Sequence, residues 1–412
     1  MTRAERSWIA YDWANSAYVL IVWTVLLPAF FKDGVAVGMP KDDSTAWWSY
    51  ANSLAGVLIA VAAPLLGTVA DYPGRKKRLF AVFWLTGVAA TFALCAVQPG
   101  WWLTCLAIFV VSAVAFFASE LCYNALLVDV TTPDRLDRIS SCGYAFGYIG
   151  SAIPYVACLG LVRWHGAVGL TAAAAVKVSF CVAGLWWLVF TLPMLRNVHQ
   201  THAVEPTPRP VADSFRRLGQ TFRRIRGYRN VFVFLGAYFL YIDGVHTIFV
   251  MATPIGKDLG LSTDTLMLAI LVVQIVGFPC AIAFGRLADR FGAKAMLMVG
   301  IIIYALVALF AVFMTSAAHF WVLAVMVGLA QGGVQALSRS LYARLIPPDQ
   351  AAEFFGFYNV FGKFAAILGP LVVGALTQVT GSFRYGVPSL VVFFVVGGLL
   401  LWQVRTRQGA TE

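Results

Sequence analysis

The chain has 412 residues, of which 60% are hydrophobic and only 12% are charged. This is about half the charged share of an ordinary soluble domain, and the formal net charge is +11. The composition excludes a soluble globular protein. Apolar stretches of about 20 residues instead predict helices long enough to cross a lipid bilayer.

Twelve such segments follow one another along the chain. Unpaired backbone groups are costly in lipid, so each segment is predicted to be a helix, which makes the chain an all-α integral membrane protein with 12 transmembrane helices. The first segment carries Asp12 and has no small-residue cleavage site behind it, so we do not interpret it as a signal peptide. The segments are 8–31, 47–69, 79–97, 101–128, 143–162, 168–194, 231–250, 265–284, 296–314, 320–341, 355–378 and 387–404.

The basic residues are distributed unevenly between the loops. With the loops assigned alternately to the two sides, 22 of the 30 Lys and Arg residues fall on the side of the N-terminus and 5 on the other side. Lys and Arg accumulate on the cytoplasmic side, so both termini are predicted to be cytoplasmic, in a multi-pass protein of the plasma (inner) membrane. The positive charge then reports topology, and we expect no nucleic-acid partner.

The two halves of the chain repeat each other. The stretch "GTVADYPGRKKR" at 67–78 matches "GRLADRFGAKA" at 285–295, with an offset of 218 positions, and 123–134 matches 338–349 with an offset of 215. This predicts two pseudo-symmetric six-helix bundles, 1–194 and 231–412, joined by a cytoplasmic basic linker, 195–230. The residues shared by the two signature loops are Gly67 and Gly285, Asp71 and Asp289, and Gly74 and Gly292.

Motifs of catalysis and metal binding are missing from the sequence. It contains no P-loop, no GxSxG and no HExxH, so neither ATP-driven transport nor hydrolysis has support in this chain. The seven cysteines lie in or beside apolar segments without CxxC or Cys/His spacing, which argues against a disulfide framework or a metal site. We therefore expect no enzyme activity, no cofactor and no metal.

Parallel six-helix repeats, each with a G-x-x-x-D-x-x-G loop after its second helix, resemble the major facilitator superfamily. The stretches "YDWANSAY", "GYAFGYIG", "YIDGVHT" and "QALSRSLYARLIPPDQAAEFFGFYNVFGK" are similar to the branch of autophagy-related vacuolar amino-acid effluxers and their bacterial relatives. The resemblance implies two bundles around a central cavity, a small-molecule solute and a protein that acts as a monomer in the lipid bilayer.

In this superfamily helices 1, 4, 7 and 10 line the cavity, and each of those segments carries polar residues here. Asp243 lies about 21 Å along its helix from Arg229, at about 1.5 Å per residue, which places it near the middle of the bilayer. A buried ionisable residue there predicts function. The candidates for solute binding or proton coupling are Asp12, Asn15, Tyr18, Glu120, Asn124, Asp243, His246, Gln331, Gln335, Arg339 and Lys363.

Several of these candidates have a simpler structural interpretation. Asp12 either lies in the cavity or caps its helix and reaches the interface. His246 binds solute or only partners Asp243, and Gln331 can merely bridge helices. Lys363 on segment 11 either extends to the cytoplasm or pairs with a carboxylate of the cavity.

The resemblance also implies a gate at the first signature loop. The loop's Arg75 is expected to pair with Asp129 at the end of segment 4. Asp71 is expected near the start of segment 11, where a helix N-terminus favours negative charge. In the second half the partner positions are Ala293 and Arg344, so the same triad cannot form there. The gating residues are thus Gly67, Asp71, Gly74, Arg75, Asp129, Gly285 and Asp289.

These features predict a secondary active transporter of a small polar, amino-acid-like solute. A carboxyl group held at low dielectric can exchange protons near neutral pH, so proton-coupled alternating access is favoured, with sodium as the other coupling ion. Two alternatives are a lipid or lysolipid flippase of the same fold and a transporter-like sensor that binds its ligand without moving it.

Overall fold

The computed structural model describes residues 1–205, 225–365, 367–380 and 383–405, with three isolated positions between 206 and 224. Within these ranges the chain is helical and contains no strand. Twelve helices are long and apolar enough to cross a membrane, which confirms the predicted number. They are α1 (Arg3–Val35), α2 (Asp43–Ala70), α3 (Arg75–Ala96), α4 (Trp102–Val130), α5 (Leu136–Arg163), α6 (Ala172–Asn197), α7 (Arg229–Ala252), α8 (Thr265–Phe291), α9 (Ala293–Phe313), α10 (Ala317–Leu345), α11 (Pro348–Thr380) and α12 (Arg384–Gln403).

Helices α1 and α11 both depart from regular α geometry. In α1 the stretch Tyr18–Leu26 is π-helical, a form with hydrogen bonds from residue i to i+5 that is often found at functional sites. In α11 one α-helix ends at Phe364 and the next begins at Leu368. Pro370 lies in the first turn of this second part, a position where a proline is tolerated because its missing N–H would have no helical partner.

The chain forms two compact units, each built mainly from one half of the sequence. Unit 1 contains α1 to α4 and α6, and unit 2 contains α7 to α10 and α12. The beginning of α5 belongs to unit 2, and the beginning of α11 belongs to unit 1. Unit 1 comprises Met1–Val130, Phe146–Ser214 and Asp349–Gly356; unit 2 comprises Thr131–Ala145, Phe215–Pro348 and Phe357–Glu412.

Hydrogen bonds and stacked rings join α1 to α4 in unit 1. The indole N–H of Trp8 donates to the carbonyl oxygen of Tyr123 at 3.0 Å, and the two rings stack with centroids 4.4 Å apart. Further along the same interface, Tyr11 shares a hydrogen bond with Ser119 at 2.9 Å. In a membrane such polar pairs and close ring contacts hold helices together, because lipid gives little hydrophobic drive for their association.

The contact between α3 and α6 in unit 1 is equally close. A Cβ at Gly87 would lie 2.6 Å from the ring of Trp187, so only glycine lets the indole approach. Nearer the end of α3, the sulfur atoms of Cys95 and Cys181 are 3.0 Å apart. No spacing in the sequence predicts this pair of cysteines.

Small residues bring the helices of unit 2 together. A Cβ at Gly333 of α10 would overlap the ring of Phe284 on α8, and one at Gly300 of α9 would lie 2.5 Å from Val334. The hydroxyls of Tyr241 on α7 and Ser338 on α10 share a hydrogen bond of 2.7 Å. These contacts place α10 at the centre of the unit.

Candidate functional site

Asp12 is held inside unit 1 by a tyrosine of α4. Its side chain is 7% exposed, and the hydroxyl of Tyr123 donates to its carboxylate at 2.7 Å. The predicted alternative that Asp12 caps its helix is wrong. The cap is Thr2, whose hydroxyl accepts from the N–H of Glu5 while the Glu5 carboxylate accepts from the N–H of Thr2. Asp12 therefore lies more than two turns inside α1.

The other candidates of unit 1 follow the same α1–α4 interface. Asn15 and Asn124 are buried, at 5% and 4% exposure, and Glu120 is half-buried. Tyr18 shares a hydrogen bond with Ser112 at 2.7 Å, so its hydroxyl binds α4. The structure thus gathers the five candidates of unit 1 on two adjoining helices.

Asp243 binds the interrupted helix α11 in unit 2. It is completely buried, and its two carboxylate oxygens accept from the N–H of Gly369 at 3.0 and 2.9 Å. Thr247 adds a contact of 3.4 Å. The first N–H groups of a helix have no partner within it and carry partial positive charge. The carboxylate therefore caps the second part of α11. The hydrogen bonds described for Asp243 go to Thr247 and Gly369, and the partnership of Asp243 with His246 stays a prediction.

Close packing explains why glycine stands at the tip of this second part. A Cβ at Gly369 would overlap the hydroxyl of Thr247 and lie 2.9 Å from the Asp243 carboxylate. Any larger residue would separate the half-helix from the acid. The contact between Asp243 and α11 therefore depends on the identities of three residues, Asp243, Thr247 and Gly369.

The remaining candidates of unit 2 lie on α7, α10 and α11. His246, Gln331, Gln335 and Lys363 are all half-buried, and Lys363 is close enough to His246 to act on it electrostatically. The side-chain oxygen of Gln331 is buried and has no hydrogen-bond partner among the described residues. A bound solute could supply the donor that this oxygen lacks.

Arg339, predicted to face the solute, is 2% exposed and binds the beginning of α5 within unit 2. Its guanidinium donates to the hydroxyl of Ser140 at 2.9 Å and to the carbonyl of Ser140 at 3.0 Å, and it lies 4.3 Å from the centre of the Tyr144 ring. These contacts make Arg339 a clamp between α10 and α5.

The first signature loop meets the beginning of α11 in unit 1, as predicted. The carboxylate of Asp71 accepts from the N–H groups of Ala352 and Glu353, at 2.8 and 2.9 Å, and is completely buried. A Cβ at Gly67 would overlap the backbone of Ala352. Gly74 has φ +69°, in the left-handed region that favours glycine. The signature residues thus shape the turn and fit it to α11.

The predicted ion pair between Arg75 and Asp129 is wrong. The partner of Asp129 is Lys76, whose Nζ lies 2.9 Å from the carboxylate, and both side chains are fully buried. Neighbouring residues of a helix point about 100° apart, so only one of the two basic residues can face α4. Thr201 and His202, which follow α6, also donate to Asp129.

The second signature loop is built differently in unit 2. A Cβ at Gly285 would lie 2.6 Å from Ser141 of α5, which parallels the close approach at Gly67. Asp289, however, is exposed. The acid at this contact is Asp137 of α5, which accepts from Ser340 at 2.5 Å and pairs with Arg344 at 2.6 Å. The contacts of Asp71 and Asp129 in the first half thus have no direct counterpart at Asp289 among the described residues.

Among the described residues, no group of three His, Cys, Asp or Glu side chains could hold a metal ion. What the structure offers instead are buried carboxylates on membrane-spanning helices, an interrupted helix, and two gate-like contacts at the signature loops. These features can bind a polar solute or a cation, and they can change partners when helices move.

Twelve spans in two repeated units, with a signature loop in each, define a transporter of the major facilitator superfamily. Solved structures share the fold over nearly their whole length: the human organic anion transporter MFSD10, with a TM-score of 0.73, 15% identity and coverage of 97% of this chain and 99% of that one; and the proton:xylose symporter XylE, with a TM-score of 0.73, 11% identity and coverage of 98% and 95%.

Within that class the chain belongs to the family described as "Vacuole effluxer Atg22 like", which matches residues 32–135 and 128–412. The MFS-type transporter YxiO of Bacillus subtilis is 44% identical over 403 residues, covering 97% of this chain and 94% of the relative. Autophagy-related protein 22-1 of Penicillium rubens is 27% identical over 300 residues, 67% of this chain and 50% of that protein. These relatives and structural neighbours are transporters rather than enzymes.

Proposed function

We propose that the protein is a secondary active transporter that moves a small polar, amino-acid-like solute by proton-coupled alternating access. The observation that carries this proposal is Asp243. It is a completely buried carboxylate on a membrane-spanning helix, bound through Gly369 to the second part of an interrupted helix. Interrupted helices with a charged partner are where secondary transporters bind solutes and coupling ions.

Protonation gives this contact two states. The two oxygens of the charged carboxylate share one N–H, that of Gly369, at a helix N-terminus, an arrangement that favours negative charge. A neutral carboxyl group loses much of that attraction, so α11 can separate from α7 when Asp243 takes up a proton. Asp12 is its repeat mate, and Glu120 is the next carboxyl group that can serve in coupling.

The distribution of charge supports a solute with both an amine and a carboxylate. The chain offers the acids Asp12 and Glu120 as well as the basic side chains Lys363 and His246. Because Arg339 is bound to Ser140, we assign the solute's carboxylate to Lys363 instead. The family description, vacuole effluxer, names no cargo, and neighbours of the same fold are named for cargoes as different as organic anions and xylose.

We also propose that the protein lies in the plasma membrane as a monomer, with both termini and the linker in the cytoplasm. The support is the excess of basic residues in alternate loops, 22 against 5. With that orientation the signature loops are cytoplasmic. The Asp71 contact with α11 would then close the cytoplasmic side, in the state that is open to the other face.

The test is counterflow in proteoliposomes loaded with unlabelled amino acids and exposed to the 20 standard amino acids in labelled form. We expect uptake of one chemical subset, with proton uptake by the purified protein when that subset is added. Asp243→Asn should retain exchange and lose most of the proton uptake. Asp33→Asn, at an exposed acid of α1, is the matched control and should behave as wild type.

Each of the other possible results would contradict one part of the proposal. Equal proton uptake by wild type and Asp243→Asn would remove Asp243 from coupling, and Glu120→Gln would then be compared. Transport that depended on sodium instead of pH would show that sodium, and not the proton, is the coupling ion. Binding without counterflow would make the protein a sensor, and counterflow of labelled lysolipid alone would make it a flippase.

A further inference from the structure

The residues that follow α6 form a non-helical segment on the first signature loop. We define this segment, residues 198–205, as the strap. It is the part of the linker that follows α6, and the hydrogen bonds described for it lie within unit 1. A linker that only tethers two bundles needs no such contacts.

Gln200 is the centre of the strap. Its side-chain oxygen accepts from the N–H of Lys76 at 3.1 Å, at the start of α3. Its side-chain amide lies 3.4, 3.3 and 3.2 Å from the carbonyl oxygens of Ala70, Asp71 and Tyr72, at the end of α2. An amide group has two hydrogens to donate, so these oxygens share them. One side chain thus binds both ends of the signature loop.

The next two residues of the strap bind the acid of the gate. The Thr201 N–H and hydroxyl lie 2.9 Å from one oxygen of Asp129, and the His202 N–H lies 2.7 Å from the same oxygen. The other oxygen binds Lys76. Hydrogen bonds to a charged group are among the strongest in proteins, so the strap shares Asp129 with the lysine.

Asp71 joins the strap to α11. Its side chain binds the N–H groups of Ala352 and Glu353, while its backbone carbonyl accepts from the N–H of Val204 at 3.0 Å and lies within reach of Gln200. The strap therefore fixes the backbone from which the Asp71 carboxylate reaches α11. None of the hydrogen bonds described for the strap reaches Ala352 or Glu353.

We propose that the strap is a positioning element of the first-half gate, with Gln200 and Thr201 as its positioning residues. It holds Asp71 and Asp129 in the geometry that binds α11 and Lys76, and it continues directly into the linker. A change in the position of the strap would therefore alter the contacts of Asp71 and Asp129. Only the role of the strap in transport rests on the proposed function. The strap positions Asp71 and Asp129 whether or not a solute is bound.

The experiment is hydrogen–deuterium exchange of the purified full-length protein in lipid nanodiscs, without ligand. The reporting peptide covers 349–356, which contains the two amides bound by Asp71. Gln200→Ala removes the bonds to both ends of the loop, and at the usual strength of one or two hydrogen bonds we expect exchange in that peptide about tenfold faster. His199→Ala, at an exposed neighbour in the strap, is the control and should leave exchange unchanged.

Two further variants distinguish positioning from general stability. Gln200→Glu keeps the acceptor for Lys76 but turns a second oxygen toward carbonyl groups, so it should speed exchange more than alanine does. Thr201→Val keeps the backbone bond and removes the hydroxyl, so its effect should be smaller. The proposal is overturned if exchange at 349–356 stays at the wild-type rate in all three variants. It is also overturned if exchange rises equally at 338–345 of α10, because that would be general loosening.

Discussion

The buried pair of Lys76 and Asp129 gives the sharpest test of the gate, because the loop pattern predicts a different partner. Lys76→Met keeps most of the side-chain stem and removes the charge 2.9 Å from the carboxylate, where both groups are fully buried. Breaking a buried pair on one side costs about 3–5 kcal/mol. Asp129 keeps its bonds to Thr201 and His202, which offset part of the loss. We therefore expect a cost of about 3 kcal/mol.

The assay is thermal unfolding of the purified protein, with Arg75→Ala as the matched variant. At about 2–4 °C per kcal/mol for a unit of roughly 200 residues, Lys76→Met should lower the Tm by about 6–12 °C. Arg75→Ala should change stability by no more than about 0.5 kcal/mol. In Asp129→Asn the loss from Lys76→Met should shrink, since the two side chains are coupled. A large loss in Arg75→Ala with a silent Lys76→Met would refute the assignment.

Three further predictions follow from the helix contacts and the topology. Gly369→Ala should abolish proton-coupled transport, because its Cβ would overlap Thr247; Gly374→Ala, in open space on the same half-helix, should remain active. Oxidation with a small disulfide reagent should link Cys95 to Cys181, whose sulfurs are 3.0 Å apart, and reduce the titratable thiols from seven to five. Mass spectrometry that found all seven thiols free would contradict that contact. Finally, a tag on either terminus should resist an impermeant protease in intact cells and be cut only after lysis; cleavage in intact cells would reverse the orientation.

The general architecture could be predicted because it depends on sequence patterns that can be read without knowing which residues are in contact. Segment length and hydrophobicity predict the twelve spans, and the repeated loops predict two related halves. The predicted depth of Asp243 in the bilayer follows from counting residues along its helix, and the structure adds that its side chain is completely buried within the protein. These properties depend on the local sequence and on the lipid environment.

Specific partners were harder to predict because they depend on side-chain direction. Arg75 and Lys76 are neighbours with the same charge, and only the rotation of α3 decides which one meets Asp129. The interruption of α11 had a readable signal in Gly369 and Pro370, a pair that commonly marks a turn. Arg339 carried no such signal, since its polar spacing suits a clamp on α5 as well as a solute site.

The exchange of short segments between the units has a consequence for the two halves expressed as separate chains. Without the second half, Asp71 would lack the two amides that satisfy it, because those amides belong to Ala352 and Glu353 of that half. Each half in this way contributes a short segment to the unit built mainly from the other half. Separate expression of either half should therefore yield an incomplete bundle that matures only when both halves are made together.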